Sequence, residues 1–109
     1  DDISDTTKYE DHFVSASSLI AISKSGRSVD SEDVQNFLKA RERGIDVHLF
    51  VRKNKDDKIS KEFYYLGRVI ATGNKKEFIM PNTDKTAVEI EWALETPVRE
   101  DIYEYIVNG

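Results

Sequence analysis

Cysteine is absent from this 109-residue chain, and histidine occurs only twice. The lack of cysteine excludes a disulfide framework, a thiolate zinc site and a cysteine nucleophile. His12 and His48 are too few for an ordinary zinc site without carboxylates, and their spacing matches no helical zinc motif. No apolar run approaches the roughly 18 residues that a membrane-spanning helix needs, and no secretory signal is visible. We therefore expect no cofactor, no metal and no membrane partner, and a cytoplasmic location.

The sequence also lacks the short motifs that mark common catalytic sites. It contains no Gly-x-Ser-x-Gly elbow, no Gly-x-Gly-x-x-Gly turn and no Gly-Lys-[Ser/Thr] phosphate loop. The nearest match to a metal-dependent nuclease is Asp46 with Asp56 and Lys58, but the last two fall in a predicted turn that would not hold them rigidly. Glu89 and Glu91 share a strand face, and exposed strand faces are usually charged. We therefore expect that this domain is not an enzyme.

Charge is unevenly distributed along the chain, whose net charge is −5. Residues 1–37 carry 3 basic and 8 acidic side chains, residues 38–86 carry 12 and 7, and residues 87–109 carry 1 and 6. A basic centre thus lies between two acidic ends. Its densest part is residues 52–62, where five cations accompany three acids. Such charge usually solvates a loop, but a basic run in an acidic chain also indicates a local surface for an anionic partner.

The order of the predicted elements indicates an α+β fold in one domain. Residues 1–10 are polar and are predicted to be a linker or disordered tail, and residues 11–109 form the single domain. Apolar runs and alternation predict strands at residues 19–22, 47–52, 63–72, 77–80 and 88–94. Gly67 indicates a bulge or a close backbone approach, and Gly73 with Asn74 a turn. Because short turns join antiparallel neighbours, we expect a strongly curved antiparallel sheet or small open β-barrel of about five strands with two flanking helices.

Both helices are predicted from their end signals and apolar spacing. Ser31 suits an N-cap and Gly44 suits the left-handed position after a last turn, so residues 32–43 are predicted to be helical. Thr96 as a cap, with Pro97 in the first helical position, predicts a second amphipathic helix at the C-terminal end.

Several short motifs, in order and with compatible gaps, resemble one known family. The chain has Leu-Phe-Val-Arg at residues 49–52, Phe-x-Tyr-Leu-Gly at residues 63–67 and Ile-x-Trp-x-Leu-x-x-Pro at residues 90–97. Over residues 9–103 it resembles a domain of unknown function at the C-terminus of bacterial DEAD/DEAH-box helicases of superfamily two. Those helicases often carry an N-terminal phospholipase-D-like nuclease domain. The family's first strand usually reads Phe-His-Trp-Gln-Ser-Gln, whereas residues 19–24 here read Leu-Ile-Ala-Ile-Ser-Lys.

The resemblance implies that the chain, which does not begin with Met, is part of an ATP-dependent DNA helicase or restriction-like protein. We therefore expect a non-catalytic accessory domain, monomeric in isolation, whose partners are DNA and the helicase motor of the same chain. The candidate DNA contacts are Ser23, Lys24, Arg52, Lys53, Lys55, Lys58 and Arg68. The cations would position phosphates rather than read bases. Tyr64 or Tyr65 could stack on an unpaired base, although strand tyrosines more often pack within a sheet.

A second hypothesis is a protein-interaction or autoregulatory module that docks on the helicase motor. Its basis is the acidic C-terminal third of the chain, with Glu89, Glu91, Glu95, Glu100 and Glu104. These carboxylates could face a basic DNA-binding groove and gate it. The DNA-contact and docking hypotheses are distinguished by the arrangement of Arg52, Arg68 and the lysines between them. A single basic patch favours nucleic-acid contact, and scattered cations do not.

Overall fold

Five strands form one antiparallel sheet in the computed structural model, which describes residues 10–52 and 62–108. The elements in chain order are β1 (His12–Ser15), β2 (Ser18–Ile22), α1 (Glu32–Leu38), β3 (Val47–Arg52), β4 (Phe63–Ile79), β5 (Thr86–Leu94) and α2 (Glu100–Asn108). Across the sheet the strand order is β1-β2-β5-β4-β3, and each neighbouring pair is antiparallel. The sheet curls into a half-barrel. The predicted α+β class, with a curved sheet of about five strands and two helices, is confirmed.

The core lies on the inner face of this curled sheet. Alternate residues of β5 are buried, and Val88 is fully inaccessible while Trp92 is 5% exposed. Val34 of α1 is also fully inaccessible and belongs to the same cluster. The outward β5 residues Glu89 and Glu91 are only partly buried. The predicted half-buried strand with one wet, acidic face is therefore correct.

Strand β1 has no counterpart among the predicted strands. It pairs with β2 so that Phe13 lies opposite Leu19, a core residue. The ring of Phe13 then meets Tyr103 of α2 edge-on, with centroids 5.7 Å apart. A four-residue strand with two apolar side chains has no pattern long enough to stand out from the polar segment before it. His12 is the first residue of this hairpin.

The prediction of a turn at Gly73 and Asn74 is wrong, because β4 is one continuous strand of 17 residues. Its register with β5 passes from Ala71 opposite Trp92 to Lys75 opposite Ile90, so four steps of β4 match two of β5. The extra residues form a bulge in which Gly73 has a φ of +101°. The chain bends here without reversing direction.

Both predicted helices are longer than the observed ones. After Leu38 the chain continues in tight turns to Gly44, which has the expected positive φ of +69° but lies outside the helix. Ser31 is the N-cap, yet its hydroxyl accepts a hydrogen bond from the Ser28 amide. At the other end, the Val98 amide donates to the Ala16 carbonyl over 2.8 Å. This bond ties the segment before α2 to the β1–β2 turn, and the helix begins only at Glu100, so the predicted helical start at residues 96–97 is wrong.

Candidate nucleic-acid interface

Strands β3 and β4 form a two-stranded ribbon that extends beyond the rest of the sheet. The β4 segment from Phe63 to Gly67 pairs with β3, except for Leu66, and the register of β4 with β5 begins only at Val69. Val69 pairs with Val47 on one side and with Leu94 on the other. The hairpin predicted to be basic is therefore a ribbon whose two edges pair with no other strand at its distal end, among residues 10–52 and 62–108.

The outward face of the ribbon carries three aromatic side chains that are more than half exposed. Phe50 is 58%, Phe63 is 60% and Tyr65 is 55% exposed. Directly paired residues of an antiparallel ladder project to the same side. The register pairs His48 with Arg68, Phe50 with Tyr65, and Arg52 with Phe63. We call the surface formed by His48, Phe50, Phe63 and Tyr65 the aromatic face.

Contacts between these side chains make the aromatic face continuous. Phe50 and Tyr65 have ring centroids 5.0 Å apart at an interplanar angle of 40°. His48 Nδ1 lies 2.8 Å from the Tyr65 hydroxyl, which fixes both rings. The Arg52 guanidinium carbon lies 5.4 Å from the centre of the Phe63 ring, within cation–π range. A cation and its aromatic neighbours thus form one surface.

A bulge at Gly67 produces this arrangement. The register shifts between Leu49, which pairs with Gly67, and Phe50, which pairs with Tyr65. Leu66 is the extra residue, and it packs against the core. Without the bulge, Leu66 would lie opposite Phe50 and Tyr65 opposite Val51, so Tyr65 would turn inward. The predicted bulge at Gly67, whose φ is +95°, is therefore present, and it places Tyr65 beside Phe50.

The back of the ribbon rests on the C-terminal helix. Tyr64, which the alternation points inward, meets Tyr105 of α2 with ring centroids 6.0 Å apart. Its hydroxyl donates to a Glu62 carboxylate oxygen over 3.3 Å. Desolvation, together with hydrogen bonding to Tyr105, raises the pKa of Tyr64 above its ordinary value. Of the two tyrosines considered for base stacking, the outward one is therefore Tyr65.

The structure brings two of the sequence-predicted contact residues to the outward face of the ribbon. Arg52 lies over Phe63, and Arg68 forms an ion pair with Glu95, with 2.9 Å between Nη2 and Oε1. Both partners of that pair are about half exposed. The three predicted lysine contacts lie outside the described residues; they are Lys53, Lys55 and Lys58.

Ser23 and Lys24 lie elsewhere, at the end of β2. The Ser23 hydroxyl accepts a hydrogen bond from the Val88 amide over 2.9 Å and donates to the Lys24 carbonyl over 3.0 Å. Ser23 therefore has a structural task, which is to join the end of β2 to β5. Lys24 is exposed and lies apart from the ribbon in strand order.

The inner face of the half-barrel holds an apolar groove of about 290 Å³. Trp92 and Phe37 line it, and Ser23 and His48 also border it. The curl of the sheet therefore brings the end of β2 towards β3, although the two strands are far apart in strand order.

The carboxylates of the second hypothesis have varied surroundings. Glu91 accepts hydrogen bonds from Asn74 over 2.7 Å and from Thr72 over 2.8 Å, and these bonds hold its pKa below the ordinary value. Glu91 thereby ties the β4 bulge to β5. Glu95 pairs with Arg68, and Glu104 accepts a bond from Asn108. These contacts engage Glu91, Glu95 and Glu104 locally.

Sequence reasoning placed Phe50 and Arg52 on one strand face but missed the exposed aromatic cluster. The alternation within β3 can be read from the sequence, whereas the bulge that places Tyr65 and Phe63 on the same side as Phe50 shows only as a glycine. In residues 10–52 and 62–108, no group of three or more His, Asp or Glu side chains is placed to hold a metal ion. No helix within those ranges is long and apolar enough to cross a membrane.

Comparison with known sequences assigns the chain to a family of unknown function. No curated protein matches the chain. Residues 1–106 match a family described as "Domain of unknown function (DUF3427)", and the match extends from the N-terminal segment into α2. The chain therefore belongs to the DUF3427 family, a domain of unknown function.

Proposed function

We propose that this domain is a non-catalytic accessory module of a bacterial, cytoplasmic DNA helicase or restriction-like protein, and that it contacts DNA through the β3–β4 ribbon. The observation that carries the proposal is the placement of Arg52 and Arg68 on the same outward face. The outward positions of the ribbon are His48, Phe50, Arg52, Phe63, Tyr65 and Arg68. They include two arginines and no carboxylate, in a chain whose net charge is −5.

The chain continues from Arg52 directly into Lys53 and Lys55, which adds cations next to the end of β3 in sequence. Electrostatic contact with phosphates depends on such clusters, since each neutralised phosphate releases condensed counterions. The acidic remainder of the protein opposes a long duplex footprint. The proposed contact is therefore short and involves a few phosphates.

A titration with labelled DNA at several salt concentrations tests this proposal. A footprint of about four phosphates predicts a loss on the order of 100-fold in affinity between 50 and 200 mM salt. The double charge reversal Lys53→Glu with Lys55→Glu should weaken binding further. The matched control is Lys75→Glu with Lys76→Glu, which makes the same change at exposed positions beyond the β4 bulge. Absence of binding to both single- and double-stranded DNA would overturn the proposal.

The second candidate is docking on the helicase motor, favoured by the exposed apolar rings of Phe50 and Phe63. Exposed apolar clusters mark protein contacts as well as ligand contacts. If the domain gates the motor, its deletion from the full-length protein changes the basal or DNA-stimulated ATPase rate. An unchanged rate would argue against gating and leave DNA contact as the function.

A further inference from the structure

The charge-based proposal leaves the most exposed feature of the ribbon unused. Phosphate contact needs Arg52 and Arg68 but not the three neighbouring rings. Phe50, Phe63 and Tyr65 are each more exposed than Phe37, the aromatic residue at the edge of the core, which is 40% exposed. Large apolar side chains clustered on a solvent-facing sheet surface mark a site of contact.

We infer that the aromatic face stacks the bases of single-stranded DNA. This inference rests on the proposed function and specifies the form of its ligand. Aromatic rings on an open sheet face are a recurrent platform for unpaired bases, because every base presents a π face to a ring that can meet it. In a duplex those base faces are covered by their neighbours, so only an unpaired strand can use the platform.

The distribution of charge around the rings fits a polyanionic strand. Arg68 lies opposite His48 at one end of the outward row, and Arg52 lies opposite Phe63 at the other. A strand that follows the ribbon therefore meets Arg52 at one end and Arg68, which is ion-paired with Glu95, at the other, while its bases cover Phe50 and Tyr65 between them. A purely apolar partner surface would have to desolvate both arginines.

The geometry of the rings also leaves room for bases. Phe50 and Tyr65 are tilted by 40° and do not stack flat on each other, and both side chains are more than half exposed. The hydrogen bond between His48 and the Tyr65 hydroxyl restrains the ring before any ligand binds. Arg52 over Phe63 adds a guanidinium plane, which stacks on bases as an aromatic ring does.

Substitution of Phe50 separates stacking from charge. We expect Phe50→Ala to weaken binding of a fluorescein-labelled oligothymidylate of about 10 nucleotides by about 5- to 150-fold, the effect of losing one stacked base. Its salt slope should be unchanged because the phosphate contacts remain. Ile79→Ala is the matched control, since Ile79 is 64% exposed at the far end of β4 and its loss should leave affinity unchanged.

A substitution that keeps an aromatic ring completes the test. Phe50→Trp should retain the affinity for the oligothymidylate, and the fluorescence of the new indole should be quenched on binding. Trp92, the tryptophan already present, is 5% exposed and contributes a constant background. Circular dichroism of each variant confirms that the fold persists, as expected for exposed positions.

Three outcomes would overturn the inference. The first is equal oligothymidylate affinity for Phe50→Ala and Ile79→Ala. The second is binding of a duplex as tight as binding of the single strand, which would leave the salt-dependent contact of the proposed function intact. The third is unchanged DNA binding with loss of docking to the helicase motor in Phe50→Ala, which would assign the aromatic face to protein contact. Absence of binding to any DNA would remove the proposed function as well.

Discussion

The indole of Trp92 meets the ring of Phe37 edge-on, with centroids 5.7 Å apart and planes at 78°. Trp92 lies on β5 and Phe37 on α1, so this contact joins the helix to the inner face of the sheet. Because Trp92 is the single tryptophan of the chain, its fluorescence reports directly on the packing of α1.

Truncation of the helix side of this contact should loosen α1. We expect Phe37→Ala to lower the free energy of unfolding by about 1–2 kcal/mol, less than for a fully buried phenylalanine because the ring is 40% exposed. Urea denaturation followed by tryptophan fluorescence measures it. The control Phe63→Ala removes the same ring at a position 60% exposed and should cost less than about 1 kcal/mol. Equal losses would contradict the role of Phe37 in holding the helix.

The centre of the core should tolerate change least. Val88 is fully inaccessible on β5, and Val88→Ala removes two buried methyl groups and leaves a cavity. We expect a loss of about 2 kcal/mol in the free energy of unfolding. Val14→Ala makes the same change on β1 at a position 56% exposed, and its effect should stay within about 0.5 kcal/mol. A small effect at Val88 would mean that the core lies elsewhere.

Gly67 offers a test of backbone conformation separate from packing. Its φ is +95°, and a Cβ built there meets no atom within 4 Å. Gly67→Ala should therefore destabilise through backbone strain alone, by about 1–2 kcal/mol. Gly67→Asn should cost less, because asparagine tolerates a positive φ better. Thermal unfolding of the pair measures the difference, and two equal stabilities would contradict the assigned conformation.

The ion pair at the start of α2 predicts an acid-range titration. Hydrogen bonds from Arg99 lower the pKa of Asp101 from 3.8 to about 2. Because the folded-state pKa is the lower one, any stabilisation from the pair is present above the ordinary value and is lost as the pH falls towards 2. In Arg99→Gln, an NMR titration should show the pKa of Asp101 returning towards 3.8. Arg43→Gln, whose partner is Asn36, should leave it unchanged.

Glu95 should restrain DNA binding by neutralising one of the two outward arginines. Glu95→Gln removes the partner that lies 2.9 Å from Arg68 and frees that guanidinium for phosphate. We expect tighter binding by a few-fold and a salt slope steeper by about one. Glu104→Gln removes the same charge on α2, where the carboxylate accepts a bond from Asn108, and should change neither quantity. Unchanged binding in Glu95→Gln would remove Arg68 from the interface.

The parts of the fold that follow from local pattern were predictable, and those that depend on distant partners were not. The alternation of Val88 and Trp92 with Glu89 and Glu91 identified β5 and its buried face. By contrast, Gly73 in the sequence is equally compatible with a turn and with a bulge. The hydrogen bonds from Thr72 and Asn74 to Glu91, which decide for the bulge, join residues that are distant in sequence. Contacts between residues far apart in sequence carry no local signal.

The candidate site shows the same division. The cations are evident in the sequence. Because side chains alternate along a strand, the sequence also places Phe50 on the same strand face as Arg52. The exposure of Phe63 and Tyr65 could not be predicted, because it depends on the bulge at Leu66, which reverses the alternation of side chains in β4. The pairing of Arg68 with Glu95 spans 27 positions and shows only in the folded protein.

The N-terminal part of strand β4 is supported by the rest of the sheet at one end only. At Val69 the strand pairs with both β3 and β5, and about 20 Å of two-stranded ribbon separates Val69 from Phe63. A strand of nucleic acid pulled across the aromatic face would exert torque about Val69. The contact between Tyr64 and Tyr105 of α2 would resist that rotation from the other side of the ribbon. Tension on a bound strand would therefore reach the rest of the protein by two routes, through β5 and through α2.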